Sequence, residues 1–212
     1  MSINKSLKAY VRYDVTGKIV PSSLIFAESM PKVGKWKEIN AYPTTSPTTT
    51  TSITYQVGDL ALGGIVAYIY QSGDPGYDEN VQHGLIASVT DLGNYEWGCS
   101  GTTVGASGTV LGTGAANTAA ILANCATRPI AASIAAAHDG GGFTDWFLPS
   151  YDELNKLYLN QSIIGGFFGS QYLSSREGSA TNVCTQTFTT GVRSCAGLKS
   201  TSTRIVRAVR YF

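Results

Sequence analysis

The sequence is poor in charged residues, which make up 14% of its 212 residues against roughly 25% in an average soluble protein. A coiled coil needs charged positions beside its apolar seam, so this composition excludes one. The net charge of +1 argues against a nucleic-acid binder that works by bulk charge. Glycine, serine and threonine together supply 68 residues and predict a loop-rich protein with a neutral polar surface.

Long apolar runs are also missing. No segment approaches the ~18 consecutive apolar residues of a membrane helix, so we expect no membrane insertion. The N-terminal sequence MSINKSLKAYVRYD has no apolar stretch after its first lysine, which predicts that there is no secretory signal peptide. We therefore expect synthesis in the cytoplasm and release by lysis or by an unconventional route.

Residues that commonly carry catalysis are scarce and scattered. His83 and His138 lie in unrelated contexts, and the nucleophile, zinc-protease and phosphate-loop motifs are all absent. The sequence therefore predicts a protein that is not an enzyme and needs no cofactor. The carboxylates are densest at Asp139, Asp145, Asp152 and Glu153. We interpret Asp145 as a turn anchor and the last two as serving a helix N-terminus, rather than as calcium ligands.

The sequence does not decide whether the four cysteines are free or form disulfides. None belongs to a CxxC pair, which argues against a structural zinc site. Four cysteines allow three pairings, and the sequence does not choose among them. Without a signal peptide, free buried thiols are the favoured interpretation. The residues concerned are Cys99, Cys125, Cys184 and Cys195.

Composition divides the chain into three parts. Residues 1–40 contain short β-prone runs and predict a small β module for attachment or oligomerisation. Residues 41–52, AYPTTSPTTTTS, contain two prolines and no charge, which predicts a linker, with a long surface loop as the alternative. The main domain is expected to occupy residues 53–212.

Within the main domain the apolar pattern predicts mixed helices and strands. Continuous apolar runs predict buried strands, and alanine-rich segments predict short helices. Ser150 and Glu153 form a capping-box pattern at the start of one helix. The predicted strands are 63–70 and 84–89, the predicted helices are 117–125, 130–138 and 150–160, and residues 172–212 are predicted to form a β meander.

Charge and hydroxyls concentrate near the C-terminus. Residues 53–171 carry two basic and ten acidic groups, whereas residues 172–212 carry six basic and one acidic. Hydroxyls and guanidinium groups hydrogen-bond sugars and pair with sulfates or carboxylates. For any single residue, an ordinary solvated loop role is the alternative. The candidate ligand-binding residues are Arg176, Asn182, Arg193, Lys199, Thr201 and Arg204.

Arg207 is expected to have a structural role. Alternation along the last predicted strand places it on the same face as Ile205 and Val209. A buried arginine needs a carboxylate partner. The sequence suggests Asp145 or Glu153 for that partner.

Seven phrases in order carry a resemblance to a known family. They are GGIVAYIY, YEWGC, GTGAANTAAILANC, DWFLPSYDELNKLY, GGF, YLSSRE and VRAVRYF. Together they resemble the C-terminal domain of the Legionella collagen-like adhesin, over about residues 58–212. The resemblance implies an α+β, C-type lectin-like domain, related to formylglycine-generating enzymes, with two main helices, a small twisted antiparallel sheet and long loops. The N-terminal segment also resembles virion proteins of Bacteroidetes phages.

The resemblance implies a function in adhesion. Family members bind anionic glycans or host surface molecules through the face to which residues 172–204 contribute. Leu173 stands where the family usually has an aromatic residue. An aromatic that packs in the core would make this a mild change, and one that lines the ligand surface would imply a different ligand.

We therefore expect a non-catalytic receptor-binding protein of a phage virion, at a tail fibre or capsid surface. Its expected partners are cell-surface or mucus glycans, and other virion proteins through the N-terminal module. A homo-oligomer is expected, with a trimer favoured because several copies multiply weak affinities. The alternative is a structural virion protein, such as a capsid decoration or baseplate adaptor, without a ligand of its own.

Overall fold

A computed structural model describes residues 8–13, 25–27, 35–38, 54–201 and 204–212. The chain divides into two compact units, Met1–Ile53 and Thr54–Phe212. The boundary falls next to the end of the predicted linker. The linker itself, residues 41–52, lies outside the described residues.

The first unit contains a three-stranded antiparallel sheet. Its strands are Lys8–Tyr13 (β1), Ile25–Ala27 (β2) and Lys35–Glu38 (β3). β1 is central and pairs with both neighbours, in the order β2-β1-β3. Three strands of this length match the β-prone runs of the sequence, and the role of this unit in attachment stays a prediction.

The second unit combines small sheets with a few helices. It is an α+β unit, as its sequence predicts. The helices are Gly114–Asn124 (α1), Ala131–Ala136 (α2), Tyr151–Leu159 (α3) and Gln161–Ile164 (α4). The strands are Leu60–Ala61 (β4), Gly64–Ile69 (β5), Gly84–Ala87 (β6), Asn94–Tyr95 (β7), Gln171–Glu177 (β8), Asn182–Thr187 (β9), Arg193–Leu198 (β10), Arg204–Ile205 (β11) and Val209–Tyr211 (β12).

One sheet of this unit is antiparallel and has the order β12-β6-β5-β4. β5 and β6 are its two inner strands, and they form where the sequence predicts buried strands. Val66, Leu85 and Ile86 are fully buried, because an inner strand that is covered on both faces has no solvent side.

The second sheet has the order β10-β9-β8-β11-β7. β8, β9 and β10 form the predicted meander, whereas β11 runs parallel to β8. The predicted continuous strand over 205–211 is wrong, since β11 and β12 belong to different sheets. The reason is that residues 206–208 cross the core between the sheets, where Val206 accepts from Leu92 N and Ala208 accepts from Ser88 N, both at 2.9 Å.

The helix predictions hold for α3 and need correction for α1. At α3, Ser150 Oγ accepts from Glu153 N at 3.2 Å, and Glu153 Oε2 accepts from Ser150 N at 2.7 Å, which confirms the capping box. α1 begins at Gly114, three residues before the predicted start. Asn117 therefore lies inside the helix, and its side-chain amide exchanges two hydrogen bonds with the backbone of Gly108.

All four cysteines form disulfides, which corrects the expectation of free thiols. Cys99 pairs with Cys125 across 26 residues, and Cys184 pairs with Cys195 across 11. The second pair joins the adjacent strands β9 and β10. The fold brings these side chains together, which sequence spacing did not indicate.

Arg207 is fully buried and has a carboxylate partner, as predicted, but the partner is Asp91. Its Nη1 lies 3.2 Å from Asp91 Oδ1, and it also donates to backbone carbonyls. The two acids expected from the sequence are engaged elsewhere. Asp145 accepts two hydrogen bonds from Arg210, and Glu153 accepts from its own helix N-terminus.

Among the described residues, no helix has both the length and the apolar character that crossing a membrane requires.

Candidate functional site

The structure does not gather the six predicted ligand-binding residues onto one face. β9 and β10 pair so that Arg193 lies opposite Gln186 and Leu198 lies opposite Asn182. Arg193 and Asn182 are therefore at opposite ends of this strand pair. The six residues separate into the exposed Arg193 and the half-buried Arg176, two buried cations, and two polar residues at the far end.

Arg193 is an exposed cation whose guanidinium is held by three contacts with Tyr151 and Asp152. Its guanidinium carbon lies 3.7 Å from the centre of the Tyr151 ring. Its Nη2 lies 2.6 Å from Asp152 Oδ1 and 2.8 Å from the carbonyl oxygen of Tyr151. The first turn of α3 therefore orients this side chain by stacking and hydrogen bonding together.

The charge of Arg176 also acts on Tyr151. Burial raises the pKa of the Tyr151 phenol, and the charges of Arg193 and Arg176 act in the opposite direction. Arg176 Nη1 also lies 3.0 Å from Cys184 Sγ and 3.1 Å from Cys195 Sγ. The guanidinium of Arg176 thus packs against the Cys184–Cys195 disulfide. We use the name arginine face for the four residues Arg176, Arg193, Tyr151 and Asp152.

Lys199 is not a ligand-binding residue in this fold, which corrects the sequence interpretation. It is fully buried, and its Nζ lies 2.5 Å from Glu177 Oε1. It also lies 4.6 Å above the Trp97 ring. A cation that is enclosed in this way balances a buried carboxylate and does not reach solvent.

Arg204 is also directed inward. Only 8% of the residue is exposed, its Nε donates to Gln171 Oε1 at 2.7 Å, and its Nη1 donates to Leu198 O at 2.6 Å. Burial lowers the pKa of its guanidinium. These hydrogen bonds join β11 to β8 and β10, which gives Arg204 a structural role within the sheet.

Asn182 and Thr201 lie at the other end of β9 and β10. Asn182 is the half-buried first residue of β9, and its carbonyl oxygen accepts from Gly178 N and Ser179 N in the preceding turn. Thr201 is half-exposed after β10, and the next two residues lie outside the described part of the chain. Among the described residues, neither Asn182 nor Thr201 forms a hydrogen bond with a residue of the arginine face.

Leu173 is fully buried and belongs to the larger hydrophobic cluster, together with Trp97 and Val183. An aromatic residue at this position would occupy the core. The departure from the resembling family at this position is therefore a packing change and does not alter an exposed surface.

Sequence reasoning missed Tyr151 as part of this site. The available signal was its position directly after the cap residue Ser150, in the first turn of a helix, where Tyr151 is half-buried. Tyr151 and Arg193 are 42 residues apart in the sequence, so no local sequence pattern predicts that they are in contact.

In the described parts of the chain, no group of three or more His, Cys, Asp or Glu residues is placed to hold a metal ion. A comparison with protein-family models finds no match, and a comparison with curated proteins finds none either.

Proposed function

We propose that Thr54–Phe212 is a C-type lectin-like, non-catalytic binding domain of a phage virion protein, at a tail fibre or capsid surface. Its ligands are glycans or mucin-like molecules on the host surface or in mucus. The first unit attaches it to other virion proteins or joins copies of the chain, with a trimer favoured. The α+β architecture, with two longer helices and extended irregular segments, is compatible with this fold.

One observation carries the proposal, namely the guanidinium of Arg193, which is held in place by the ring of Tyr151 and by Asp152. A planar guanidinium fork pairs with sulfate or carboxylate through two parallel hydrogen bonds. Side chains that are already fixed lose less conformational freedom when a ligand binds. Stacking on Tyr151 and the disulfide under Arg176 supply that fixation.

Asp152 sets the strength of this site. Its carboxylate lies 2.6 Å from Arg193, so it competes with any anionic ligand. The side chains of Arg193 and Asp152 are 32% and 35% exposed, so solvent screens the pair and a stronger anion can displace it. We therefore expect weak binding per domain, which several linked copies would raise.

The test is binding of the purified full chain to heparin and to sulfated mucin, at low and at physiological salt. We expect salt-sensitive binding that falls at least tenfold in the double variant Arg176→Ala/Arg193→Ala. Arg193→Lys keeps the charge but loses the fork and is expected to fall in between. Arg128→Ala removes one charge from an arginine that hydrogen-bonds only to nearby carbonyls, and it serves as the matched control.

Equal binding by the wild type and the double variant would remove the arginine face from the proposal. If no glycan or mucin bound to a folded protein, the structural virion role without a ligand would become the better account.

A further inference from the structure

A concavity whose lining includes none of the four residues of the arginine face lies elsewhere on the second unit. It has a volume of about 530 Å³ and opens between the end of β5, the segment 110–113 and the C-terminal residues. Its wall is mostly apolar, and no lining residue is Asp, Glu, Lys or Arg. We call it the tyrosine groove, after its principal lining residues Tyr70, Pro75, His83, Gly112, Tyr211 and Phe212.

One buried carboxylate holds two walls of the groove together. Glu153 Oε1 accepts from Tyr211 Oη at 2.8 Å and from Gly112 N at 2.8 Å. Glu153 is itself fixed by the capping box at the start of α3. The C-terminal strand and the 110–113 segment therefore cannot separate without breaking these hydrogen bonds.

The wall that carries Pro75 is fixed in a similar way. Asp74 accepts from Gln71 N at 2.9 Å and from the Tyr68 hydroxyl, and it forms an ion pair with Lys156 at 3.5 Å. Burial raises the pKa of Asp74, but these hydrogen bonds and the lysine charge outweigh burial and lower the pKa overall. Asp74 is thus a stable anion that orders the turn before Pro75.

Two polar groups of the groove are left for a ligand. Within the described part of the chain, the Tyr70 hydroxyl makes no hydrogen bond, although its ring lines the cavity. His83 Nδ1 lies 3.2 Å from the carbonyl oxygen of Phe212. Because a backbone oxygen only accepts, Nδ1 is the donor in this contact, and Nε2 is the ring nitrogen left for a ligand.

Both tyrosines of the groove stay uncharged. Burial is the main cause that raises the pKa of Tyr70 and of Tyr211, and the negative charge of Glu153 adds to it. The groove therefore offers aromatic faces, one hydroxyl and one imidazole nitrogen, and its wall carries no Asp, Glu, Lys or Arg side chain.

We propose that the tyrosine groove binds an uncharged pyranose, as a single sugar or the end of a neutral glycan chain. Ligand pockets typically combine an apolar wall with a few placed polar groups, and volumes of about 300–1,000 Å³ are usual. A pyranose has an apolar face that packs on aromatic rings and hydroxyls at its edge that pair with donors and acceptors. Because no Lys or Arg side chain lines the groove, it lacks the cation that would favour the sulfated and carboxylated sugars proposed for the arginine face.

This inference rests on the proposed function for the ligand class, since both concern glycans. The two sites differ in how binding depends on salt. Binding of an anion to the arginine face weakens as salt rises, whereas binding of a neutral ring to an apolar groove does not. The failure of one proposal is therefore distinguishable from the failure of the other.

The experiment is a nuclear magnetic resonance titration of the full chain with the methyl glycosides of glucose, galactose, mannose and N-acetylglucosamine. We expect one of them to shift the ring protons of Tyr70 and His83 saturably. The dissociation constant is expected at roughly 1 mM, as for a ligand of this size, and to be the same at low and physiological salt. No shift with any glycoside, or a shift only with indole as an apolar probe, would overturn the inference.

Variants locate the site. Tyr70→Phe keeps the ring and should weaken binding several-fold, because only the hydroxyl contact is lost. Tyr70→Ala should weaken it at least tenfold, with thermal unfolding as the check on folding. Tyr95→Phe, a tyrosine on β7, is the matched control and should leave binding unchanged.

Arg193→Ala should leave the neutral glycoside titration unchanged while heparin binding falls. If Tyr70→Phe and Tyr70→Ala both bound the glycoside as tightly as the wild type, the sugar would lie elsewhere and the groove would be excluded.

Discussion

Lys199 and Glu177 form a buried ion pair that ties the end of β10 to the irregular segment near Val104. Lys199 Nζ lies 2.5 Å from Glu177 Oε1, and the two side chains are 0% and 6% exposed. Glu177 also accepts from Val104 N at 2.9 Å and from Gly105 N at 3.1 Å. The pair therefore organises a segment that has no helix or strand of its own.

Lys199→Met is expected to lower the free energy of unfolding by about 3–5 kcal/mol, because it leaves the Glu177 carboxylate buried without its cation. Urea unfolding followed by tryptophan fluorescence measures this. The double variant Lys199→Met/Glu177→Gln should recover part of the loss, since no net charge then remains buried. A loss below about 1 kcal/mol in the single variant would contradict the burial described for this pair.

Arg207→Lys is expected to destabilise the protein by about 2 kcal/mol although it keeps the charge. The guanidinium donates to Asp91, to Val89 O and to the carbonyls of Gly165 and Gly166, and a lysine ammonium cannot reach all four. Urea unfolding measures the change.

Arg128→Lys is the matched control for Arg207→Lys, because the exposed Arg128 also donates to carbonyl oxygens. We expect its effect to stay below about 0.5 kcal/mol. Equal losses of unfolding free energy in the two variants would show that burial of the arginine does not determine the effect of the substitution.

Loss of the Cys99–Cys125 disulfide should cost about 3.5 kcal/mol, and loss of Cys184–Cys195 about 2.8 kcal/mol, if closure of the unfolded chain dominates. The difference follows from the two sequence separations, 26 and 11 residues. Paired Cys→Ala variants, compared by urea unfolding under non-reducing conditions, measure both values. A larger cost for the shorter loop would assign the main effect to the Arg176 contact with its sulfurs.

Stability should fall as the pH drops below 6.5 because of His138. Partial burial lowers the pKa of this imidazole from its ordinary 6.5, and Asp139 opposes this weakly. The unfolded chain therefore takes up a proton first as the pH falls. The contribution of His138 is complete above 6.5 and is lost as the pH falls through the folded-state pKa.

The measurement is the urea midpoint of the wild type and of His138→Gln across this pH range, with Trp146 fluorescence as the probe, since its ring centre lies 4.6 Å from that of His138. The wild type should lose stability relative to the variant as the pH falls. Parallel pH profiles would show that His138 does not contribute to the pH dependence of stability. Because His83 is present in both proteins, any contribution from it cancels in the comparison.

Local features of the sequence predict the elements whose interactions are themselves local. The capping box at Ser150 and Glu153 spans one helical turn, and it forms as the pattern indicates. The apolar runs behind β5 and β6 predict inner strands, because such runs have no solvent-facing side. The burial of Arg207 and its need for an acid also follow from alternation along one segment.

The candidate site follows from the sequence only in part. The basic C-terminal segment is visible in composition, and among its predicted ligand-binding cations Arg193 is exposed and Arg176 is half-buried. Composition cannot tell them from Lys199 and Arg204, because all four are cations among polar neighbours. Whether a cation is exposed depends on the residues that pack over it. Lys199 is covered by Glu177 and Trp97, and Arg204 is covered by the neighbouring strands.

The sequence by itself determined the α+β class, the inner strands, the helix start at Ser150 and the location of the basic segment, because these depend on neighbouring residues. The tertiary structure alone decided the cysteine pairing, the partner of Arg207, the split between β11 and β12 and the stacking of Arg193 on Tyr151. Each of these joins residues that are distant in the chain, and their contact depends on the packing of whole sheets and helices.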